Sequence, residues 1–457
     1  MKILLTTIII TLNAFSLSSQ VASIDTTKMV SKPWYIAATE TTAINVIVNR
    51  FDLYVLAAEW ADVSPTSWKR NFERGFLSDG DSFNTNFFAH PYHGSLYFNS
   101  ARSLGYSYWQ SMPYVLGGSL MWEFLGETEP PSEIDINTTT LGGIYLGEMT
   151  NRLSRALLYD DGIRSYKFIR NFGALALNPI GQINSWLYED VNASFRGKNK
   201  KKFPIRSQLS SGISIPIREI ERVDALGRAN IHFAMIYGDL FSSGVFKPFD
   251  SFVLKSWIDL GSRKAEKQFY MNISSNAKIF RFLINDNSAF SISQHYDYME
   301  NQIFKTGMLG ITADYTIRKN FGSWGFVGTA NLGLIPFGSS NSEIVDYLNE
   351  TVDEEFYKEY VYGRGLISKL EYIIYTNKFG RLTSSYSHWY LNTENYTQGI
   401  ENTSVLQVKY FYPISKSLNI GLELLNYTRN ARYEEIPQFE NIDENYLEMK
   451  LLVAKSF

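Results

Sequence analysis

The stretch 446–457 carries apolar side chains at every second position and closes on an aromatic residue. Leu447, Met449, Leu451, Val453 and Phe457 fall on one face. Glu448, Lys450, Ala454 and Ser456 fall on the other, and only Lys455 and Leu452 break the alternation. Side chains alternate across a strand, so the pattern predicts one apolar and one polar face. Such strands are the staves of a transmembrane barrel, where closure leaves no backbone N–H unpaired in lipid.

The same period runs back to about Phe203. Leu309, Ile311, Ala313, Tyr315 and Ile317 oppose Gly310, Thr312, Asp314 and Thr316. Leu418, Ile420, Leu422 and Leu424 oppose Ser417, Asn419, Gly421 and Glu423. Strands are expected at 207–217, 229–241, 250–260, 268–284, 288–299, 305–318, 322–336, 360–376, 380–391, 403–413, 417–428 and 445–457, about twelve in all. Tight turns at 285–287, 319–321, 377–379 and 414–416 alternate with longer polar loops at 337–359, 392–402 and 429–444. Trimmed turns on one rim and larger loops on the other are a barrel property that a soluble sandwich has no reason to share. Counted back from Phe457 on the periplasmic rim, an even strand number starts the barrel on that rim too. Phe457 itself resembles the terminal aromatic signal by which outer-membrane proteins reach the barrel assembly machinery.

The first residues read as a secretory leader over 1–23. Lys2 is the positive end, 3–12 the apolar run, and Val21-Ala22-Ser23 a small-residue cleavage site. That run is too short for a membrane anchor, and no other segment has the roughly 18 consecutive apolar residues of a spanning helix. The chain has no cysteine, which excludes disulfides and thiolate–metal sites. A net charge of −3 gives no bulk attraction to nucleic acid. Aromatic residues reach 15 %, mostly Tyr and Phe, as in the interfacial girdles of barrels.

Residues 24–195 follow a different rule and predict a helical, periplasmic domain. Helical stretches are expected at 38–60, 94–125, 134–157 and 165–189, separated or interrupted by Pro65, Pro91, Pro130-Pro131 and Pro179. A linker at 196–203 holds five basic residues between Arg196 and Lys202. It is a solvated connection or a patch that meets anionic headgroups.

Motifs concentrate in 79–155. Asp79-Gly80-Asp81-Ser82-Phe83 is followed by Ala89-His90-Pro91-Tyr92-His93-Gly94-Ser95-Leu96-Tyr97-Phe98-Asn99 and Ala101-Arg102-Ser103. Then come Trp122-Glu123-Phe124-Leu125-Gly126-Glu127, Pro130-Pro131-Ser132, and Thr139-Thr140-Leu141-Gly142-Gly143-Ile144-Tyr145-Leu146-Gly147-Glu148. This string resembles a family of bacterial envelope proteins known as a domain of unknown function, with an H-P-Y-H-G-S-x-Y-F-N core. The likeness covers roughly 75–155 and extends loosely over the rest of the helical half. It implies an envelope location and assigns no reaction.

His90 and His93 stand three apart and would share a helical face near Glu123, Glu127 or Glu148. Two imidazoles without a third fixed ligand do not make a metal centre, so no metal or cofactor is expected. A structural polar network of His90, His93, Arg102, Glu123 and Glu148 is the main expectation. Arg102 and Glu123 interrupt apolar stretches, and a buried charge must be paired, so Arg102 should bridge to Glu123 or Glu148. The catalytic alternative uses His93, Glu123 and Glu148, or His295 with Asp297 facing the barrel interior. Ser95 is no nucleophile elbow, because no G-x-S-x-G occurs. Gly143 and Gly147 have small-xxx-small spacing, with Gly117-Gly118 on the expected partner. Residues 95–126 and 134–155 would then form an antiparallel hairpin around Pro130-Pro131, with His90 and His93 near its open end.

The fold class is therefore α+β and membrane-bound: a helical domain followed by an antiparallel transmembrane barrel. The expected function is an outer-membrane protein whose periplasmic domain acts as plug or scaffold in envelope organisation or transport. A membrane-embedded hydrolase acting on envelope lipid is the alternative, with enzymatic activity not expected to lead. Expected partners are outer-membrane lipid and the assembly machinery, with no nucleic acid and no soluble partner named.

Overall fold

A computed structural model of the chain describes residues 31–77, 81–159, 167–191, 203–217, 228–263, 266–341, 360–394, 398–434 and 441–457. The expected leader, the basic run 196–202 and the loop 342–359 lie outside the described residues. The chain divides into two compact units, Met1–Lys202 and Phe203–Phe457.

The first unit is helical. Its helices are α1 (Trp34–Tyr54), α2 (Pro65–Arg74), α3 (His90–Arg102), α4 (Tyr108–Met121), α5 (Glu133–Asn137), α6 (Gly143–Tyr159), α7 (Lys167–Leu177) and α8 (Pro179–Leu187). Among the described residues, three π-helical turns interrupt the regular winding, at Thr85–Ala89, Trp122–Gly126 and Thr138–Gly142. The long expected helix 94–125 is two helices. Gly105 at φ +98 ends the first, and Ser107 with Gln110 forms a capping box that starts the second. The unexpected α2 begins the same way, with Ser64 as cap and Pro65 in the first turn. Pro65 thus opens a helix instead of merely separating two. Among the described residues, no helix is long and apolar enough to cross a membrane.

Glycines set the packing of α3 against α6. A Cβ on Gly94 would sit 2.0 Å from Thr139 O, and one on Gly143 would sit 2.5 Å from Gly94 Cα. Gly147 lies against Phe98, one turn further along each helix. Residue numbers rise together through these contacts and through Arg102 and Glu148, so α3 and α6 run in the same direction. This corrects the expected antiparallel hairpin, because α4 makes the return between them. It also corrects the partner: Gly118 packs on Tyr97 and Thr41, and Gly117 faces open space.

The second unit is a closed barrel of twelve antiparallel strands, each bonded to its sequence neighbours, with the first bonded to the last. They are β1 (Ile205–Pro216), β2 (Arg228–Gly238), β3 (Ser251–Arg263), β4 (Glu266–Asn285), β5 (Ser288–Glu300), β6 (Lys305–Phe321), β7 (Trp324–Asn341), β8 (Tyr360–Thr376), β9 (Gly380–Thr393), β10 (Gly399–Pro413), β11 (Leu418–Tyr433) and β12 (Ile442–Ser456). Each overlaps its expected span. The register closes with Gln208 opposite Ser456 and Pro216 opposite Glu448. Pro336 cannot donate to a ladder, and the register of β7 against β8 shifts there, between Ile335 and Gly338. The alternation of short and long connections has three exceptions. Residues 239–250 form a longer loop on the tight-turn rim, held by Arg281 donating to the carbonyls of Leu240 and Gly244. On the opposite rim only two residues separate β3 from β4, and only four separate β5 from β6.

The barrel's two faces have opposite polarity. Leu422 is 41 % exposed and its neighbours Leu418, Ile420 and Leu424 are exposed with it, whereas Glu423 is fully buried. On β12, Leu451 and Val453 face out while Glu448 and Lys450 are enclosed. Leu452, the misfit of the terminal pattern, points inward and packs with Phe411 and Ala454.

Candidate functional site

The helical unit has a polar core, and its centre is a carboxylate between two guanidinium groups. Arg102 Nε donates to Glu148 Oε2 at 2.7 Å and Arg152 Nε to Glu148 Oε1 at 2.8 Å. Arg102 Nη1 also donates to Tyr106 O, and Arg155 donates to Arg102 O. Burial alone would raise the Glu148 carboxyl, but Arg102 and Arg152 beside it hold it below the usual carboxylate range. Arg102 therefore pairs with Glu148, not Glu123. Glu123 instead accepts from the backbone N–H of Ser132 at 2.7 Å, tying the Trp122–Gly126 turn to the start of α5.

Asparagine amides secure the irregular backbone. Asn49 donates to Gly126 O and Ala61 O, each at 2.8 Å, and Asn71 donates to Glu127 O at 2.9 Å. A π turn displaces carbonyls from the regular ladder, and these side chains bond oxygens around its end. Asn178 caps α8 and reaches Asn99, while Asn184 joins Ser103 to Glu40. Burial pushes the Glu40 carboxyl up to about 7 against the bond from Asn184.

His90 and His93 go separate ways. His93 Nε2 lies 2.8 Å from Tyr97 Oη, and its ring meets Trp122 edge-on at 4.8 Å. Tyr97 in turn donates to Asn45. Although part of the ring remains exposed, loss of water lowers His93 to about 3, with His90 adding repulsion. A base of that strength is neutral and weak at ordinary pH. Ser95 donates to Tyr92 O and has no histidine partner.

His90 turns the other way, toward carboxylates that sequence reasoning missed. Its Nε2 is 2.8 Å from Asp81 Oδ2 and 3.6 Å from Asp135 Oδ1. One ligand atom from each of the three residues lies within 4.8 Å of the others. His90 thus sits near the Pro130-Pro131 segment, not at the open end of a hairpin. Asp81 stood in the motif string. Asp135 was signalled only as the acidic third residue of a Ser-x-x-Asp helix start.

Inside the barrel, His295 and Asp297 share the enclosed face but not a bond. His295 Nε2 is 2.8 Å from Thr312 Oγ1 and accepts from Asn276 Nδ2 at 2.9 Å. Asp297 accepts from Lys369 and Ser274, each at 2.7 Å, and from Trp389 at 3.2 Å. Further enclosed pairs are Lys278–Asp314, Arg228–Glu448, Lys450–Asp259, Lys409–Glu423 and Arg429–Glu401. Among them an apolar cluster gathers Ile303, Phe304, Trp389, Leu425 and Tyr427. The connection 301–304 is drawn into the lumen by Arg429, which donates to Ile303 O and to Asn341 O.

Residues 75–180 match the family described as a domain of unknown function, DUF3943. No curated protein matches the chain. Solved structures similar to it include the anion-selective porin from Comamonas acidovorans, 8 % identical, covering 56 % of this chain and 99 % of its own at a TM-score of 0.25. The outer membrane channel DcaP of Acinetobacter baumannii is also 8 % identical, over 57 % of this chain and 99 % of its own, at a TM-score of 0.23. The twelve-strand closure of this chain is established independently by its own strand pairing.

Proposed function

We propose that this chain is an outer-membrane protein whose barrel spans the bilayer with a closed lumen and anchors the helical unit in the periplasm as a scaffold. The inversion of polarity between the barrel's faces carries this reading. Leu422, Leu451 and Val453 stand outside, while Glu423, Glu448 and Lys450 are enclosed. In water that arrangement would leave a large apolar band exposed and drive association. Hydrocarbon satisfies the band, and the enclosed ions find partners across the lumen.

Closure favours a scaffold over a conduit. Ion pairs bridge the lumen, the apolar cluster lies within it, and 301–304 folds inward. The barrel's own residues therefore suffice to block passage, and the helical unit is not needed as a plug. Phe457 pairs with Ser207, on the rim that carries the tight turns. Barrels of this class keep short turns in the periplasm, which supports a periplasmic start to β1 and a periplasmic helical unit before it. The lipid-hydrolase alternative gains no support, since His295 and Asp297 bond to different partners.

The test is conductance in planar bilayers together with cell fractionation. The full chain, and a chain lacking 24–195 behind its leader, are both expected to insert without stable current steps. Steady ohmic steps from the full chain would refute the closed lumen. Recovery in the detergent-free periplasmic fraction would refute the membrane location.

A further inference from the structure

We infer that Asp81, His90 and Asp135 form a site for a divalent transition-metal ion of the zinc or manganese type. The three donors come from three separate segments: the chain before the first π turn, the start of α3, and α5. The gathered atoms are one imidazole nitrogen and two carboxylate oxygens, with nitrogen-to-oxygen separations of 2.8 and 3.6 Å. An ion bound at about 2.0–2.2 Å from each donor needs its ligands within roughly 4 Å of one another. Both measured separations meet that condition, and small side-chain rotations bring in the third pair, already within 4.8 Å.

The surrounding backbone is built to hold these donors still. The Thr85–Ala89 turn ends directly before His90, and the Thr138–Gly142 turn begins directly after α5. π turns inside helices are frequent at functional sites, where the extra residue re-aims a side chain. On one side of His90, Gly142 lets Pro91 pack at a distance where a Cβ would meet it at 2.7 Å. Gly94 does the same against Thr139 O. The His90 helix and the segment following Asp135 are thereby locked backbone to backbone. Donors fixed by packing lose little freedom on binding an ion.

Burial is graded across the site. Asp135 and His90 are buried, while the Asp81 side chain is 32 % exposed. Asp81 therefore marks the path of entry and the side on which water would complete the coordination sphere. Three protein donors with open positions match an exchangeable or catalytic site more than a sealed structural one. One nitrogen and two hard oxygens, without sulfur, suit zinc or manganese and disfavour copper(I).

The test uses the full chain in detergent, stripped by chelator and dialysed separately against zinc chloride and manganese chloride. Wild type is expected to retain one equivalent of at least one of them, with a higher melting temperature for the helical unit. Asp81→Asn and His90→Gln are each expected to weaken binding by about tenfold or more. His93→Gln is expected to bind as wild type. No retained metal in wild type, or undiminished binding in both Asp81→Asn and His90→Gln, overturns the inference. Loss in His93→Gln with retention in Asp81→Asn overturns it too. If His90→Gln misfolds by circular dichroism, the half-exposed Asp81→Asn decides alone.

Discussion

The Gly94 crossing allows a sharp test of how the helical unit is held together. Alanine at 94 would place its Cβ 2.0 Å from Thr139 O and 2.9 Å from Gly143 Cα. Both obstacles are backbone, so no side chain can swing away, and relief requires α3 and α6 to separate by about 1 Å or more. Overpacking typically costs about 1–3 kcal/mol. Separation also stretches Arg102 from Glu148 two turns along, and breaking a buried pair adds to that loss. We expect destabilisation of at least ~3 kcal/mol, or roughly a hundredfold more of the open form. Limited proteolysis of the full chain in detergent reads this as a cleavage rate, with heat-modifiable migration of the barrel as internal control. The matched control is Gly117→Ala, also within a helix but with nothing within 4 Å of the new Cβ. It is expected to be neutral or to stabilise by up to ~1 kcal/mol. Cleavage of the Gly94→Ala chain within twofold of Gly117→Ala would refute the close-crossing account.

Four further outcomes are expected. Glu148→Gln leaves two buried guanidinium groups without their carboxylate and should cost ~3 kcal/mol in urea unfolding of the helical unit. Glu148 is held low in the fold, so its contribution is present above the ordinary glutamate value, about 4.3, and fades as pH falls through the folded value. Glu40 behaves oppositely: its raised carboxyl favours the fold below the ordinary value, and that gain is lost as pH rises to about 7. Wild type should thus resist urea better at pH 5 than at pH 8, by tryptophan fluorescence, and Glu40→Gln should flatten the difference. Arg429→Ala releases 301–304 and should give intermittent current in bilayers where wild type gives none. Deleting Phe457 removes the last bonded residue beside Ser207 and should lower the heat-modifiable fraction far more than shortening the connection at 342–359.

The barrel was legible because its pattern has a single cause: every strand turns an apolar face outward and a polar face to the lumen. Local exceptions had local reasons. Leu452 broke the alternation because Phe411 enters the lumen opposite it, a cross-strand fact no single strand records. The helical unit was legible in kind but not in boundaries. Gly105 and Ser107 announced the break after α3, yet the surrounding apolar run masked it. Arg102 pairs with one of its two expected carboxylates, since a buried charge needs a partner wherever the helices run. The direction of those helices followed from that masked break, since α4 makes the return between α3 and α6, and the gathering of Asp81 with Asp135 involves π turns, which add a residue without leaving a compositional trace. Spacing rules built on 3.6 residues per turn lose phase at each one.

The pairing of β1 with β12 also imposes an order of events in time. Gln208 finds its partner at Ser456, roughly 250 residues later. The ladder cannot close until the last stave has been synthesised and delivered, whatever the earlier hairpins have done. Contacts in the helical unit, such as Arg102 with Glu148, span far shorter loops and can form long before. Until then the chain pairs a helical unit whose contacts can close early with a strand array whose two edges await one another. Throughout that interval the open edges are the ones other chains can join.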